Sequence, residues 1–560
     1  MRCHMLFRAL FAACLLALAS VAHAGEYRLT IDRGPVNVTG RPVQSLTING
    51  QVPGPTLRFK EGEDVTIHVT NRLREDTSVH WHGLLLPGQM DGVPGLNGYP
   101  GIRPGETYTY RFTVRQSGTY WYHSHSGTQE QAGLYGALII EPVKPDVVRA
   151  DRDYVVVLSD FTEENSDEIL RNLKNDSGYY NYGKRTIGDF FDDAARDGLG
   201  ATIRDRLDWG EMRMDPTDLA DVSGYAFLVN GKSATQNWTG IFKPGERVRL
   251  RFINASAMSY FDVRIPGLKL IVIQADGQNV QPVPVDEFRI AVAETYDVIV
   301  VPEDMAYTIM AEPIDRSGYA RGTLGPREGM SAPIPPLRPR TVLNMSDMGM
   351  AHDMGEMKGM DHGPGGMEGM DHGSGMKGMQ GMDHSAMAGM DDAAKPAQPS
   401  GPPRGWADAG TPPGMKALRY ADLKSLVPQK DTRPPGREIV VRLGGNMERY
   451  IWTLNGRKAS EADPIELHYG ERVKLTFVNE SMMAHPMHLH GMFVQLVNGQ
   501  PADRLPNKHV VNVAPGSSYS VMLTADEPGE WAFHCHLLYH MNSGMMTKVV
   551  VARMSAGAAR

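Results

Sequence analysis

One short stretch near the C-terminus combines a cysteine, three histidines and a methionine. His534, Cys535 and His536 are consecutive, His540 follows four residues after His536, and Met545 comes five residues after His540. A cysteine thiolate, imidazoles and a weak axial thioether are the ligands of a blue-copper electron-transfer site. The stretch therefore predicts a copper ion bound through Cys535.

Histidines also occur in His-x-His pairs at four places in the sequence. The pairs are His80 and His82, His123 and His125, His488 and His490, and His534 and His536. On a strand, residues i and i+2 point to the same face, so each pair directs two imidazoles one way. A single pair would be read as surface residues, but four pairs in register with an internal repeat favour a cluster of several metal ions. Imidazole suits copper and zinc, and the thiolate with the thioether narrows the metal to copper.

A ten-residue pattern that must position these histidines occurs three times, at residues 62–71, 245–254 and 470–479. Each copy alternates apolar and polar residues, which is typical of a half-buried strand, and each is preceded by an Asn-Gly turn. Similar alternating runs and turn residues recur elsewhere in the chain. The sequence therefore predicts three antiparallel β-sandwich domains.

The histidines stand at different places relative to the three copies. Nine residues after the asparagine that ends the first and third copies, the chain reads His-x-His-Gly, whereas the middle copy has no histidine there. Ser124 and Leu134 stand in the first unit where Cys535 and Met545 stand in the third. We therefore expect the first and third units to share the metal cluster, with the cysteine site in the third.

Length, charge and the N-terminus limit the classes of protein to consider. The 560 residues are too many for one core, and the net charge of −8 gives no reason to expect a nucleic-acid partner.

Residues 1–24 are predicted to be a secretory signal, with basic residues, an apolar stretch and a small-x-small cleavage site. Its cleavage would remove Cys3 and Cys14, leaving Cys535 with no disulfide partner. Beyond this segment no apolar run is long enough to span a membrane.

Residues 345–390 are unusually rich in methionine. Thirteen methionines and four histidines fall in these 46 residues, among frequent glycines. Because the thioether is a soft ligand selective for Cu(I), we interpret the segment as a flexible Cu(I)-binding insertion rather than a solvated low-complexity linker. The predicted auxiliary Cu(I) ligands are Met348, Met354, Met357, Met360, His362, Met367, Met370, His372, Met376, Met379 and Met382.

Four linked motifs resemble the three-domain multicopper oxidases over essentially the whole chain that follows the signal. The motifs are His80-Trp81-His82-Gly83, Trp121-Tyr122-His123-Ser124-His125, His485-Pro486-Met487-His488-Leu489-His490-Gly491, and His534-Cys535-His536 with His540 and Met545. The Met-rich segment makes the chain similar to the periplasmic copper-resistance branch of that family, the copper-resistance protein A type.

The resemblance implies three cupredoxin-like Greek-key domains and four copper ions, one of type 1, one of type 2 and two of type 3. The implied ligands are His485, Cys535, His540 and axial Met545 for type 1, His80 and His488 for type 2, His82, His123 and His536 for one type 3 copper, and His125, His490 and His534 for the other. His534 and His536 flank Cys535 directly, so an electron from the type 1 side has only one residue of chain to cross.

Asp91 follows the first histidine pair closely, in the sequence Met-Asp-Gly-Val-Pro. In the family that the motifs resemble, an acid at this place assists proton delivery during dioxygen reduction. An Asp-Gly turn explains the residue equally well. Both interpretations stay open at this point.

The sequence thus predicts a signal at residues 1–24, cupredoxin domains at 25–145, 150–335 and 434–554, and a Met/His-rich and Pro-rich linker at 341–433. The resemblance implies a periplasmic enzyme that oxidises Cu(I) and reduces dioxygen to water. The alternatives are a laccase-like oxidase of small phenols and a copper-sequestering protein. We expect a monomer, with periplasmic copper carriers as partners and without a membrane span in the mature chain.

Overall fold

The computed structural model describes residues 24–212, 215–340, 342–343 and 410–553. Residues 1–23 of the predicted signal lie outside the described ranges. The Met/His-rich segment also lies outside them, with all of its predicted auxiliary ligands from Met348 to Met382. None of the described helices is long and apolar enough to cross a membrane.

Six β-sheets form three two-sheet domains, which confirms the predicted all-β class. The strands of domain 1 are β1 (Ala24–Val36), β2 (Val43–Ile48), β3 (Gly54–Lys60), β4 (Asp64–Asn71), β5 (His80–His82), β6 (Thr107–Thr113), β7 (Gly118–His123) and β8 (Tyr135–Glu141). Those of domain 2 are β9 (Arg152–Phe161), β10 (Ala226–Val229), β11 (Lys232–Ser233), β12 (Trp238–Ile241), β13 (Val248–Asn254), β14 (Phe261–Arg264), β15 (Leu270–Ala275), β16 (Gln278–Val285), β17 (Glu287–Ile290), β18 (Thr295–Val300), β19 (Tyr307–Pro313) and β20 (Ala320–Gly325). Those of domain 3 are β21 (Arg437–Asn446), β22 (Ile451–Leu454), β23 (Ile465–His468), β24 (Arg472–Asn479), β25 (His485–Leu489), β26 (Val494–Leu496), β27 (Asn507–Lys508), β28 (Val510–Val513), β29 (Ser518–Thr524), β30 (Gly529–Cys535) and β31 (Met546–Ala552).

Short helices accompany the sheets. The α-helices are α1 (Ser166–Asn175), α2 (Ile187–Asp197), α3 (Leu199–Glu211) and α4 (Leu538–Asn542), and the 3-10 helices are Gly88–Met90, Tyr420–Asp422 and Ala502–Arg504. The first three α-helices form an insertion between β9 and β10 of domain 2. The described part of the predicted linker, from residue 410, runs along domains 2 and 3, where Ser425 bridges to Val280 and its N–H donates to the carbonyl of Arg504.

One strand order recurs in the three domains. The sheets β2-β1-β4-β6 and β3-β8-β7-β5 of domain 1 correspond to β10-β9-β13-β18 and β12-β20-β19-β14 of domain 2, and to β22-β21-β24-β29 and β23-β31-β30-β25 of domain 3. The ten-residue repeats become β4, β13 and β24, and in each domain this strand runs parallel to the first strand of the sandwich. The internal repeat read from the sequence is therefore a repeat of structure.

The asparagine that ends each repeat strand fixes the loop that follows. The side-chain Nδ2 of Asn71, Asn254 and Asn479 donates to a main-chain carbonyl on a distant loop or strand, namely Ile102, Ile290 and Val513. Its Oδ1 accepts an N–H two residues further along, from Leu73, Ser256 and Ser481. Each asparagine thus anchors the loop that leads to β5, β14 or β25, and in domains 1 and 3 that strand carries a His-x-His pair.

The turn between β15 and β16 brings domain 2 against domain 1. Asp276 and Gly277 form it with φ of 46° and 72°, the backbone of a two-residue hairpin turn. A Cβ added to Gly277 would lie 2.3 Å from the ring of Tyr120 on β7, and Gln278 Nε2 donates to the hydroxyl of Tyr120 at 3.0 Å. Only glycine fits this contact.

We predict that Gly277→Ala lowers the thermal unfolding midpoint because its methyl group must displace the Tyr120 ring, an overpacking cost of about 1–3 kcal/mol. Gly456→Ala is the matched control: Gly456 has φ of 75° in an Asn-Gly turn, and an added Cβ meets nothing within 4 Å. Differential scanning calorimetry measures both midpoints. Equal losses in the two variants would mean that backbone strain alone, and not the Tyr120 contact, sets the effect.

Candidate metal centre

Cys535 and two histidines converge in domain 3 as the cysteine cluster (His485, Cys535 and His540). Cys535 Sγ lies 3.5 Å from His485 Nδ1 and 3.7 Å from His540 Nδ1, and the two nitrogens are 3.1 Å apart. All three side chains are fully buried, as is Met545, whose carbonyl accepts the N–H of Cys535. These are the residues that the resemblance implies for type 1 copper, and they lie together.

The two imidazoles of the cysteine cluster are held through their other nitrogens. His485 Nε2 lies 2.6 Å from the hydroxyl of Ser481. His540 Nε2 lies 2.7 Å from Oδ2 of Asp221, a carboxylate that domain 2 contributes. The indole of Trp452 stacks on the His540 ring at 3.8 Å between centroids. Both Nδ1 atoms are thereby left to face Cys535.

The four His-x-His pairs meet where domain 1 contacts domain 3 and form the histidine cluster. Its members are His80, His82, His123, His125, His488, His490, His534 and His536. Their ligand atoms fall into three groups, His80 with His82 and His488, His82 with His123 and His536, and His125 with His490 and His534. The last two groups are the residue sets implied for the type 3 coppers, and the first contains both residues implied for type 2. Strand pairing brings together the two His-x-His pairs within each domain, since β5 pairs with β7 and β25 with β30.

Rings from the two domains interleave within the histidine cluster. His80 stacks on His490 and His82 stacks on His488, each pair at 3.8 Å between centroids. In the third group, Nε2 of His534 lies 3.1 Å from Nε2 of His490 and 3.4 Å from Nε2 of His125. Lone pairs this close repel one another unless a cation or a proton lies among them.

Hydrogen bonds from the second ring nitrogens set the orientation of most cluster imidazoles. Nδ1 of His80 lies 2.8 Å from the main-chain carbonyl oxygen of Asp91, and Nδ1 of His490 lies 2.8 Å from the side-chain Oδ2 of Asp91. Nδ1 of His488 lies 2.7 Å from the carbonyl of His509, and Nδ1 of His534 lies 2.9 Å from that of Cys535. A histidine that donates from Nδ1 presents the lone pair of Nε2 to a metal.

Asp91 lies in a turn and also contacts the histidine cluster, so the turn does not exclude a role beside the metal site. It follows the 3-10 helix Gly88–Met90 in a turn, and its side chain is 2% exposed. Its main chain orients His80 of domain 1, and its carboxylate orients His490 of domain 3. It therefore joins the two halves of the cluster.

Three further residues beside the two clusters carry no signal in the sequence. Glu130 is buried, with Oε2 2.8 Å from Nδ1 of His123, and burial and then the charge of Asp160 raise its pKa well above the ordinary value. Asp221 reaches His540 from another domain. His509 is buried 4.8 Å from the ring of His82, and neither of its ring nitrogens has a hydrogen-bond partner in the described ranges.

Burial lowers the pKa of His82, His123, His125, His488, His490, His534 and His536 and so favours the neutral form that metal binding requires. It lowers the pKa of His534 to about 3, and neighbouring imidazoles lower the pKa of His82, His488 and His490 further than burial alone. Burial also raises the pKa of the Cys535 thiol, so its deprotonation depends on a bound cation.

The donor set fits copper. Nε2 of His80, Nε2 of His488 and both ring nitrogens of His536 are buried and have no hydrogen-bond partner among the described residues. A buried polar atom without a partner is costly, and a metal ion at each group would remove that cost. Imidazole suits copper, and the thiolate with the Met545 thioether belongs to blue-copper sites.

The relation between domains 1 and 3 extends to the residues around the cysteine. Ser124 N–H donates to the carbonyl of Leu134, as Cys535 N–H donates to that of Met545. The Ser124 hydroxyl, however, donates to Gln129 Oε1. Domain 1 thus retains the backbone of a cysteine cluster without its ligands.

Comparisons with known proteins agree with this geometry. Three family models, each described as multicopper oxidase, match residues 30–145, 152–326 and 432–555. The chain is 51% identical to copper resistance protein A of Escherichia coli, over 96% of this chain and 94% of that protein. It is 51% identical to copper resistance protein A of Pseudomonas syringae pv. tomato, over 95% and 93%. The crystal structure of Fet3p, a multicopper oxidase that functions in iron import, shares the fold, with a TM-score of 0.67 at 19% identity over 94% of this chain and 90% of that one.

We predict that Asp91→Ala weakens copper binding at the histidine cluster about 10–100-fold, the usual effect of removing the partner of a ligating histidine. Asp91→Asn should retain copper, because its amide oxygen still accepts from His490 Nδ1. Copper per chain after dialysis against a chelator measures both. Asp463→Ala, at a side chain 83% exposed, is the control. Full copper content in Asp91→Ala would contradict the orienting role.

Proposed function

The chain belongs to the multicopper oxidase family, in the branch of copper resistance protein A, and from that premise we propose that it oxidises Cu(I) as its substrate. Four Cu(I) ions each lose one electron, and one dioxygen takes up four electrons and four protons to give two waters. The product is Cu(II), which crosses membranes less readily than Cu(I). We place the reaction in the periplasm because residues 1–24 have the pattern of a secretory signal.

The ligand roles follow the groups described above. The cysteine cluster and Met545 would hold the type 1 copper, and the histidine cluster would hold the type 2 copper and both type 3 coppers. When bound, these ions supply one-electron uptake and dioxygen reduction. Cys535 lies in the cysteine cluster, while its neighbours His534 and His536 lie in the histidine cluster. The main chain on either side of Cys535 therefore gives electrons a short covalent path between the two.

The observation that carries the choice of Cu(I) is a pair of buried carboxylates, Asp218 and Asp221, the second of which contacts His540. Asp221 is fully buried and Asp218 is 5% exposed, and one oxygen of each has no hydrogen-bond partner in the described part of the chain. Burial and then the charge of Asp221 raise the pKa of Asp218 well above its ordinary value. A cation that comes close relieves this repulsion, whereas a phenol does not. Asp221 hydrogen-bonds to His540, so an electron delivered here enters the cysteine cluster directly.

Leu343, which precedes the Met-rich segment in the chain, contacts the loop that carries these carboxylates. Leu343, the last described residue before the segment, is buried, and its N–H donates to the carbonyl of Pro216 at 2.8 Å. Pro216 lies two residues before Asp218 in the chain. Methionine thioethers bind Cu(I) selectively, so a segment that starts here is well placed to pass Cu(I) toward Asp218 and Asp221.

Dioxygen reduction also consumes protons, and two buried carboxylates are available on the domain 1 side. Asp91 Oδ1 and Glu130 Oε1 are buried and lack hydrogen-bond partners among the described residues. Each carboxyl group already contacts a cluster histidine through its other oxygen. We propose that Asp91, which lies between the two domains, relays protons into the histidine cluster through its unpartnered Oδ1.

Cys535→Ser should lose the intense visible band of a blue-copper site and all oxidase turnover, because a hydroxyl does not replace the thiolate ligand. It should keep the copper of the histidine cluster. Visible spectroscopy, copper content and dioxygen uptake test these points. Turnover at the wild-type rate would overturn the oxidase mechanism, and full copper tolerance of cells carrying the variant would favour sequestration instead.

Replacing residues 345–390 by a Gly/Ser-rich segment of equal length should slow dioxygen uptake with Cu(I) several-fold and leave uptake with 2,6-dimethoxyphenol unchanged. The reason is that the replacement removes thioethers but neither cluster. A second replacement that keeps the methionines and removes the four histidines separates the two ligand types. Unchanged Cu(I) turnover in the first variant would show that the segment stores copper or only links domains. Faster phenol than Cu(I) turnover by the intact chain would favour the laccase-like alternative.

A further inference from the structure

The middle domain provides no ligand to either cluster, yet its Asp276–Gly277 turn lies beside the histidine cluster. On the domain 1 side, Gly277 packs on Tyr120 of β7, the strand that ends in His123. On the domain 3 side, Asp276 contacts the short segment that joins β27 to β28. The turn is therefore wedged between the two domains that hold the imidazoles.

Asp276 accepts three main-chain hydrogen bonds and forms an ion pair with Lys508. Its Oδ1 accepts the N–H of Thr295 at 3.1 Å and lies 3.0 Å from Lys508 Nζ. Its Oδ2 accepts the N–H groups of His509 and Val510 at 3.1 and 3.0 Å. The side chain is fully buried, and only an ionised carboxylate, which is an acceptor on both oxygens, satisfies the three N–H donors and balances the charge of Lys508.

Lys508 is a fully buried cation that ties this segment to domain 2. Besides Asp276, its Nζ lies 3.0 Å from Oε1 of Glu294, and the rings of Tyr296 and Tyr420 flank it at 5.0 and 5.4 Å. Burial alone would lower the pKa of Lys508, but the two carboxylates raise it, so the ammonium stays charged. Removing one partner of a buried ion pair is strongly destabilising, so the segment has little freedom to move away from the turn.

The segment in turn positions two imidazoles of the histidine cluster. β27 belongs to one sheet of domain 3 and β28 to the other, so His509 lies where the chain crosses between sheets. Its carbonyl lies 2.7 Å from Nδ1 of His488, and its ring meets that of His82 edge-on at 4.8 Å. A shift of residue 509 would rotate His488 and release the packing on His82.

We propose that the Asp276–Gly277 turn is a positioning element for type 2 copper: it fixes Lys508 and His509, so that the His509 carbonyl orients the His488 imidazole. Asp276, Lys508 and His509 are positioning residues, since they act through His488. The inference rests on the proposed assignment of His80 and His488 to type 2 copper.

Asp276→Asn tests the proposal with the smallest change. Asparagine has the same shape and tolerates the positive φ of this position. Its amide has only one acceptor oxygen, so its NH2 must face either Thr295 N–H with Lys508 or the two N–H groups of domain 3. We expect copper affinity at the type 2 site to fall about 10–100-fold, as for other losses of an orienting partner. The type 2 signal in electron paramagnetic resonance, followed during chelator competition, measures it, and the visible type 1 band in the same sample is the internal reference.

Gly277→Ala perturbs the same turn from its domain 1 side and should also weaken the type 2 signal before the type 1 band. Asp262→Asn is the matched control. Asp262 is 1% exposed, and its ion-pair partners Arg289 and Arg316 lie in domain 2. This control should lower the unfolding midpoint but lose both signals together, at the same chelator concentration.

The relative loss of the type 2 and type 1 signals distinguishes the possible outcomes. Selective loss of the type 2 signal in both turn variants supports the proposal. Wild-type type 2 affinity in Asp276→Asn, or parallel loss of both signals in the two turn variants as in the control, overturns it and leaves the turn a purely structural contact. Absence of a type 2 signal in the wild-type protein would instead overturn the copper assignment itself.

Discussion

An imidazole that binds copper must be neutral and must turn one ring nitrogen toward the metal, and eight such rings lie together between domains 1 and 3, seven of them buried and His125 partly so. Burial favours neutrality, because it disfavours the charged form of rings such as those of His82 and His488. It does not give orientation, which comes from acceptors placed against the other ring nitrogen. Main-chain carbonyls of Asp91, His509 and Cys535 supply three of these, and the Asp91 carboxylate supplies another. Much of the surrounding structure serves to hold those acceptors still.

The need to orient these imidazoles explains why the three β-sandwich domains share one strand order but differ in the ligands that they carry. Domains 1 and 3 each present two His-x-His pairs from the same strands, so bringing their faces together assembles eight rings. Domain 2 has the same strand order without ligands. It acts instead through charges: Asp276 holds the segment behind His488, and Asp221 holds His540. Domain 2, which lacks the histidine pairs, thus controls the orientation of histidine ligands in domain 3.

The sequence predicted the parts of this arrangement that are local. Alternating residues and Asn-Gly turns indicate strands from neighbouring positions alone, and i, i+2 histidines share a face in any strand. The residues that it did not predict act across domains: 319 positions separate Asp221 from His540, and 233 separate Asp276 from His509. An isolated aspartate in a loop carries no local pattern, so such a contact emerges only when the domains are packed. The helices α1 to α3 were likewise not predicted, since their segment interrupts the repeat of strands.

The buried carboxylates also divide the molecule into two sides that suit the proposed reaction. Asp221 lies by the cysteine cluster, where the proposed reaction has Cu(I) deliver an electron. Asp91 and Glu130 lie by the histidine cluster, where the proposed reaction consumes protons. Cys535 and its two neighbours are the shortest link between these sides. In that reaction, a separate entry for Cu(I) keeps it from competing for the histidine ligands. The proposed function thus depends on the placement of these acids as well as on the ligands.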